Sequence, residues 1–140
     1  MEKENKGEQA SIDPFARQHL LFTNPASWYE AVYTSAGGDA TKVPWAKRTI
    51  TPVLAAWLDH HHPGSPDAHA LVIGCGLGDD AEALIHLDLQ VTAFDISSRA
   101  IAWCRERFPR SLVNYQVADL LHPSASWQHA FTFVWENLTI

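Results

Sequence analysis

The apolar positions of this chain fall into two alternating patterns. Ala70 to Ile73 is a continuous apolar run with no polar residue between its members, the mark of a strand buried on both faces. Gln90 to Asp95, Leu112 to Val117 and Phe131 to Glu136 read as three more strands. Between them the spacing turns helical. Ala81, Leu84 and Ile85 mark a helix over 80–87, and Ile101, Ala102, Arg105 and Phe108 mark another from Ser98 to Phe108, stopped by Pro109. Strands alternating with helices predict an α/β fold around a parallel sheet.

Upstream, Thr51-Pro52 opens a helix, with threonine as cap and proline at the first helical position, and Val53, Leu54, Trp57 and Leu58 form its apolar face. A further helix carries Trp28, Tyr29, Val32 and Tyr33, with a cap at Asn24 or Ser27. Its aromatic face has two readings: packing against a core, or a lid that stacks on a planar or cationic ligand. Thr34 to Lys42 reads as a glycine-rich loop. Residues 1–23 read as a largely disordered tail, polar over Met1 to Gln9, with a weak helical pattern from Asp13 to Thr23. The expected division is thus a tail over 1–23, a lid segment over 24–48 and a sheet over 49–140.

The sharpest chemical signal is Gly74-Cys75-Gly76-Leu77-Gly78, placed between the first strand and a helix. Glycines there let backbone approach a nucleotide-like ligand. The dinucleotide fingerprint would place a third glycine where Asp79 stands. Asp79 and Asp80 occupy the first helical turn, where they complement the helix dipole but repel a pyrophosphate. A cationic nucleoside without phosphate, such as S-adenosylmethionine, suits the turn better. The second strand closes on Asp95, about twenty residues after Gly74, where a carboxylate accepts hydrogen bonds from both ribose hydroxyls. Ser97 and Ser98 are at hand to cap the next helix.

Composition narrows the partners. The chain has 140 residues, a net charge of −6 and no basic stripe, which argues against nucleic acid or an anionic membrane surface. No apolar run approaches a membrane span and no secretory leader is visible. Cys75 and Cys104 read as reduced thiols, and a cytoplasmic protein is expected. Asp59-His60-His61-His62 ends a helix, where adjacent side chains diverge too far to share one metal, so no metal site is expected.

Val72-Ile73-Gly74-Cys75-Gly76-Leu77-Gly78, Phe94-Asp95-Ile96-Ser97, Ala118-Asp119-Leu120 and Phe131-Thr132-Phe133-Val134-Trp135-Glu136 together resemble the motifs of class I S-adenosylmethionine-dependent methyltransferases. Trp28-Tyr29-Glu30, Tyr33 and Pro44-Trp45 resemble the thiopurine, thiol and halide branch. The resemblance implies a Rossmann-like sheet with helices on both faces, here with strands 1–4 in the order 3-2-1-4, and a chain that stops after the fourth strand. It implies that Gly74, Cys75 and Gly76 line the methionine part of the cofactor. Asp95 would hold the ribose, Ile96 would pack on adenine, and Ala118, Asp119 and Leu120 would frame the adenine. Trp28 and Trp45 would cover the cofactor or acceptor, and Glu136 would face the transfer site. Asp119 is equally a turn residue, and Thr132 stands where the family usually carries aspartate.

The implied function is methyl transfer to a small nucleophile such as a thiol or halide, by direct displacement and with no essential base assigned. The fourth strand would be left as a free apolar edge, open to self-association. Two other readings remain: a non-catalytic assembly module that uses this edge, and an NAD(P)-dependent oxidoreductase fragment.

Overall fold

The computed structural model describes residues 25–139. The tail over 1–23, the pattern from Asp13 to Thr23 and the candidate cap Asn24 lie outside the described residues. In chain order the elements are α1 (Pro25–Ala36), a 3-10 turn (Ala40–Lys42), α2 (Pro52–Leu58), β1 (His69–Ile73), α3 (Asp79–Ile85), β2 (Gln90–Asp95), α4 (Ser98–Arg107), β3 (Asn114–Val117), a 3-10 turn (Ala125–Trp127) and β4 (Phe133–Glu136). Ser27 lies inside α1, so it does not cap that helix. The loop expected from Thr34 is shorter, because α1 runs on to Ala36.

The four strands are parallel, in the expected order β3-β2-β1-β4. β1 is central and wholly apolar beyond His69, as a strand with a neighbour on either side must be. Alternate residues send side chains to opposite faces. On one face Ala70, Val72, Val91, Ala93, Val113 and Tyr115 pack under Leu54 of α2, Ala81 and Leu84 of α3, and Ile101 and Cys104 of α4. α1 lies outside α4, joined through Tyr33, Ala36, Ala100 and Trp103.

The opposite face differs from the expectation of helices on both sides. Leu71, Ile73 and Phe94 are buried there under Ala118, Trp127 and Phe131 of the β3–β4 connection, which contributes only its 3-10 turn. β4 pairs with β1 alone, and Val134 on this face stays 53% exposed. Thr132, just ahead of β4 and in the place where aspartate was expected, bonds across to β1. Its hydroxyl oxygen accepts from the His69 amide at 3.0 Å, and its own amide donates to the His69 carbonyl at 2.9 Å.

Candidate ligand-binding site

The carboxyl ends of β1, β2 and β4 open into one cleft of about 660 Å³. Its floor is the glycine turn, which β2 holds in place. The Cys75 amide donates to the Phe94 carbonyl at 2.9 Å, and the Gly76 amide donates to Asp95 Oδ2 at 3.0 Å. Gly74 runs at φ +61, and a Cβ there would strike the Thr139 side chain. Glycine is therefore required twice over at this position.

Asp95 is buried, and its Oδ1 accepts the Ser97 amide at 3.0 Å. An ionised carboxylate offers about four acceptor positions. The Gly76 and Ser97 amides, with the Ile96 amide beside them, take up part of that capacity, and Asp95 still lines the cleft. Burial raises its pKa above the ordinary aspartate value, against the Ser97 and Gly76 hydrogen bonds and with help from the Glu30 charge. Ser97 caps α4 as expected, its hydroxyl accepting from the Ala100 amide at 3.0 Å.

α1 and the segment after it close the cleft from above. Glu30 clips α1 to the start of α4, accepting from the Ser98 hydroxyl at 2.9 Å and from the Arg99 amide. Trp45 donates its indole N–H to the Tyr33 hydroxyl at 2.7 Å, and its ring meets Tyr33 and Tyr29 edge-on at 5.6 Å. Burial and the nearby Asp95 carboxylate push the Tyr33 phenol well above its ordinary range, so it stays a neutral hydroxyl.

Of the residues singled out in the sequence, Gly74, Cys75, Gly76, Asp95, Ile96, Ala118, Asp119, Leu120 and Trp45 all border the cleft. Trp28 does not: it packs behind the wall against Tyr29 at 4.9 Å and Trp45 at 5.9 Å. Glu136 is also absent from the wall, and its carboxylate accepts instead from the Thr139 amide at 3.3 Å. Asp119 performs the turn role as well, accepting from the Leu121 amide at 2.9 Å and pairing with His122 at 3.1 Å.

Asp79 and Asp80 hold the site together, which the sequence did not suggest. Asp79 forms a two-pronged ion pair with Arg107 at 3.0 and 3.1 Å, so its charge is balanced. Asp80 accepts from the Thr51 amide and hydroxyl, each at 2.7 Å, and from the Trp135 indole at 2.9 Å. It thereby joins α2, α3 and β4 beneath the cleft. Thr51 precedes α2 as expected, but its side chain bonds Asp80 and makes no cap. Thr51, Asp80 and Trp135 are wall residues that the sequence did not mark as ligand contacts, whereas Tyr29 and Tyr33 belong to the aromatic face of α1 read there as core packing or a lid.

His60, His61 and His62 are exposed, with His61 stacked on Trp57 at 4.3 Å. Among the described residues no three His, Cys, Asp or Glu side chains are grouped to hold a metal. No helix among them is long and apolar enough to cross a membrane.

A family model described as a methyltransferase domain matches residues 70–139. The chain is 34% identical over 110 residues to a probable thiol methyltransferase 2 of Arabidopsis thaliana, covering 75% of this chain and 44% of that protein. A solved structure concerned with conversion of a disulfide bond into a thioacetal group during echinomycin biosynthesis superposes with a TM-score of 0.70 at 26% identity, over 83% of this chain and 48% of that one. A phosphoethanolamine-type N-methyltransferase 2 of Haemonchus contortus, solved with phosphomonomethylethanolamine and S-adenosylhomocysteine, gives a TM-score of 0.55 at 27% identity, over 74% of this chain and 26% of that one. The chain thus spans less than half the length of each of these proteins.

Proposed function

The chain belongs to the methyltransferase-domain family, and from that premise we propose that it binds S-adenosylmethionine and serves methyl transfer to a small nucleophile, a thiol or a halide. The observation that carries this reading is Asp95: a buried carboxylate at the end of β2, tied to the glycine turn, with acceptor capacity left on the cleft side. It would hold the ribose hydroxyls. Gly74, Cys75 and Gly76 would lie along the methionine part, with Ile96, Ala118, Asp119 and Leu120 around the adenine. Trp45, with Tyr29 and Tyr33, would cover the ligand from above. Trp28 would support Trp45, and Glu136 would steady the segment after β4.

When bound, S-adenosylmethionine supplies a methyl group on a cationic sulfonium. The chain's own contribution is to orient and to exclude water, because displacement by a thiolate or halide needs alignment more than proton transfer. Aromatic faces in the wall also favour a cation. The thiol acceptor is supported by the Arabidopsis relative, and two free thiols fit a cytoplasmic setting. Family membership sets aside the oxidoreductase alternative. The half-exposed edge at Val134 also supports self-association through β4.

Calorimetric titration with S-adenosylmethionine, with NAD in parallel, tests the reading. Saturable binding of the first alone is expected. Asp95→Ala, shown folded by circular dichroism, should weaken it tenfold to about a hundredfold, the worth of one hydrogen bond to a charged group. Binding of NAD alone would overturn the proposal.

A further inference from the structure

The two cysteines of the chain come from different elements and meet at the cleft. Cys75 stands between the first two glycines of the turn and forms part of the cleft wall; Cys104 is buried on α4. Both Sγ atoms point at the same acceptor, the Gly76 carbonyl oxygen, at 4.0 and 3.1 Å. The two sulfurs therefore flank one carbonyl oxygen, Cys75 from the turn and Cys104 from α4. The chain has no third cysteine to compete for either partner.

We infer that Cys75 and Cys104 form a dithiol site on the cleft wall, which a small-molecule disulfide converts to an internal disulfide and a trivalent arsenical bridges. Cys75, reached through the cleft, attacks one sulfur of the small disulfide as thiolate, and one small thiol leaves. The Cys104 thiolate then attacks Sγ of Cys75 in the mixed disulfide, and the second small thiol leaves. The protein loses two hydrogens, its sulfurs are oxidised, and the small disulfide is reduced to two thiols. With an arsenic(III) oxide the two As–O bonds become two As–S bonds, water is released and nothing is oxidised.

Contact with Cys104 and burial hold the Cys75 thiol well above the usual thiol range, so exchange is slow at neutral pH and quickens as pH rises. A disulfide is only about 2 Å long. Forming it draws the turn towards α4 and takes the Cys104 hydrogen bond from the Gly76 carbonyl. Gly76 is the residue whose amide rests on Asp95. The oxidised chain should therefore bind S-adenosylhomocysteine at least about tenfold more weakly, a consequence that rests on the proposed cofactor reading.

The test uses the full chain, treated with glutathione disulfide and, separately, with phenylarsine oxide, followed by intact mass and peptide mapping. Expected are loss of two hydrogens with no glutathione retained, one arsenical per chain, and neither product from Cys75→Ser or Cys104→Ser. A glutathione adduct persisting on Cys75 beside a free Cys104 would overturn the proposal. So would two thiols that stay unreacted in the folded chain yet alkylate in denaturant. Titration with S-adenosylhomocysteine before and after oxidation, with dithiothreitol reversal, then reads the coupling. Equal affinity in both states would refute the coupling. Absence of binding by the reduced chain would instead refute the cofactor reading, while the mass data still decide the dithiol site.

Discussion

Replacing Asp80 by alanine should cost far more than its position in an acidic helix start suggests. The carboxylate receives three donors, two from Thr51 and one from Trp135. Hydrogen bonds to a charged group contribute about 1.5–3 kcal/mol each. The site is only partly buried, and shared partners make the terms less than additive, so roughly 3–5 kcal/mol is expected for all three. With a urea m-value of about 1.5 kcal/mol/M, the unfolding midpoint moves down by about 2–3 M. Far-UV circular dichroism follows the transition. If Asp80→Ala leaves too little folded chain to titrate, Asp80→Asn provides the measurement. Its amide oxygen keeps two donors and its NH2 group faces the third, so about half the loss is expected. Trp135→Phe removes one donor alone and should cost about 1–2 kcal/mol. A midpoint shift under about 0.5 M for Asp80→Ala would refute the clamp, because it would put three bonds below the worth of one.

Glu30 gives a pH test. Burial raises its pKa, but the hydrogen bonds from Ser97, Ser98 and Arg99 outweigh it and leave the value below the ordinary 4.5. A lowered folded-state value means stability is present above the unfolded value and lost as pH falls through the folded one. Glu30→Gln should therefore flatten the stability profile below about pH 4.5, and an acid limb as steep as the parent's would contradict the clip. Gly74→Ala forces a side chain into a left-handed conformation, at about 1–2 kcal/mol, and against Thr139; thermal unfolding should show at least that loss. Arg107→Lys keeps the charge but loses the fork to Asp79 and the bond to the Leu77 carbonyl at 2.7 Å. About 1 kcal/mol of destabilisation is expected, and an unchanged urea midpoint would show that the charge alone suffices.

Local chemistry was the legible part of this fold. The glycine turn, Asp95 and the Ser97 cap declare themselves within a few neighbouring residues, because backbone conformation and capping are short-range requirements. The boundaries of β2 were readable for the same reason, with a turn on either side of a compact apolar run. Asp79 and Asp80 were misleading because their partners lie far away in sequence. An acidic pair at a helix start looks like dipole complementation until Arg107, Thr51 and Trp135 are brought to it. Trp28 and Trp45 look equivalent in sequence, yet only Trp45, in the turn ahead of α2, reaches the cleft, while Trp28 on α1 packs behind it. The cover of the second face was misjudged because the β3–β4 connection fills it with the rings of Trp127 and Phe131, a solution with no periodicity to read.

The placing of β1 between β2 and β4 fixes the order in which the chain can assemble. β2 follows β1 closely, whereas β4 lies roughly three times as far along the chain. Closing that larger loop costs about 1 kcal/mol more in chain entropy. During synthesis β1, β2 and their helices are available to collapse well before Trp135 exists to reach Asp80. The glycine turn and Asp95 can thus come together before Trp135 arrives, and the Asp80 clamp beneath the cleft is the last part of the site to close.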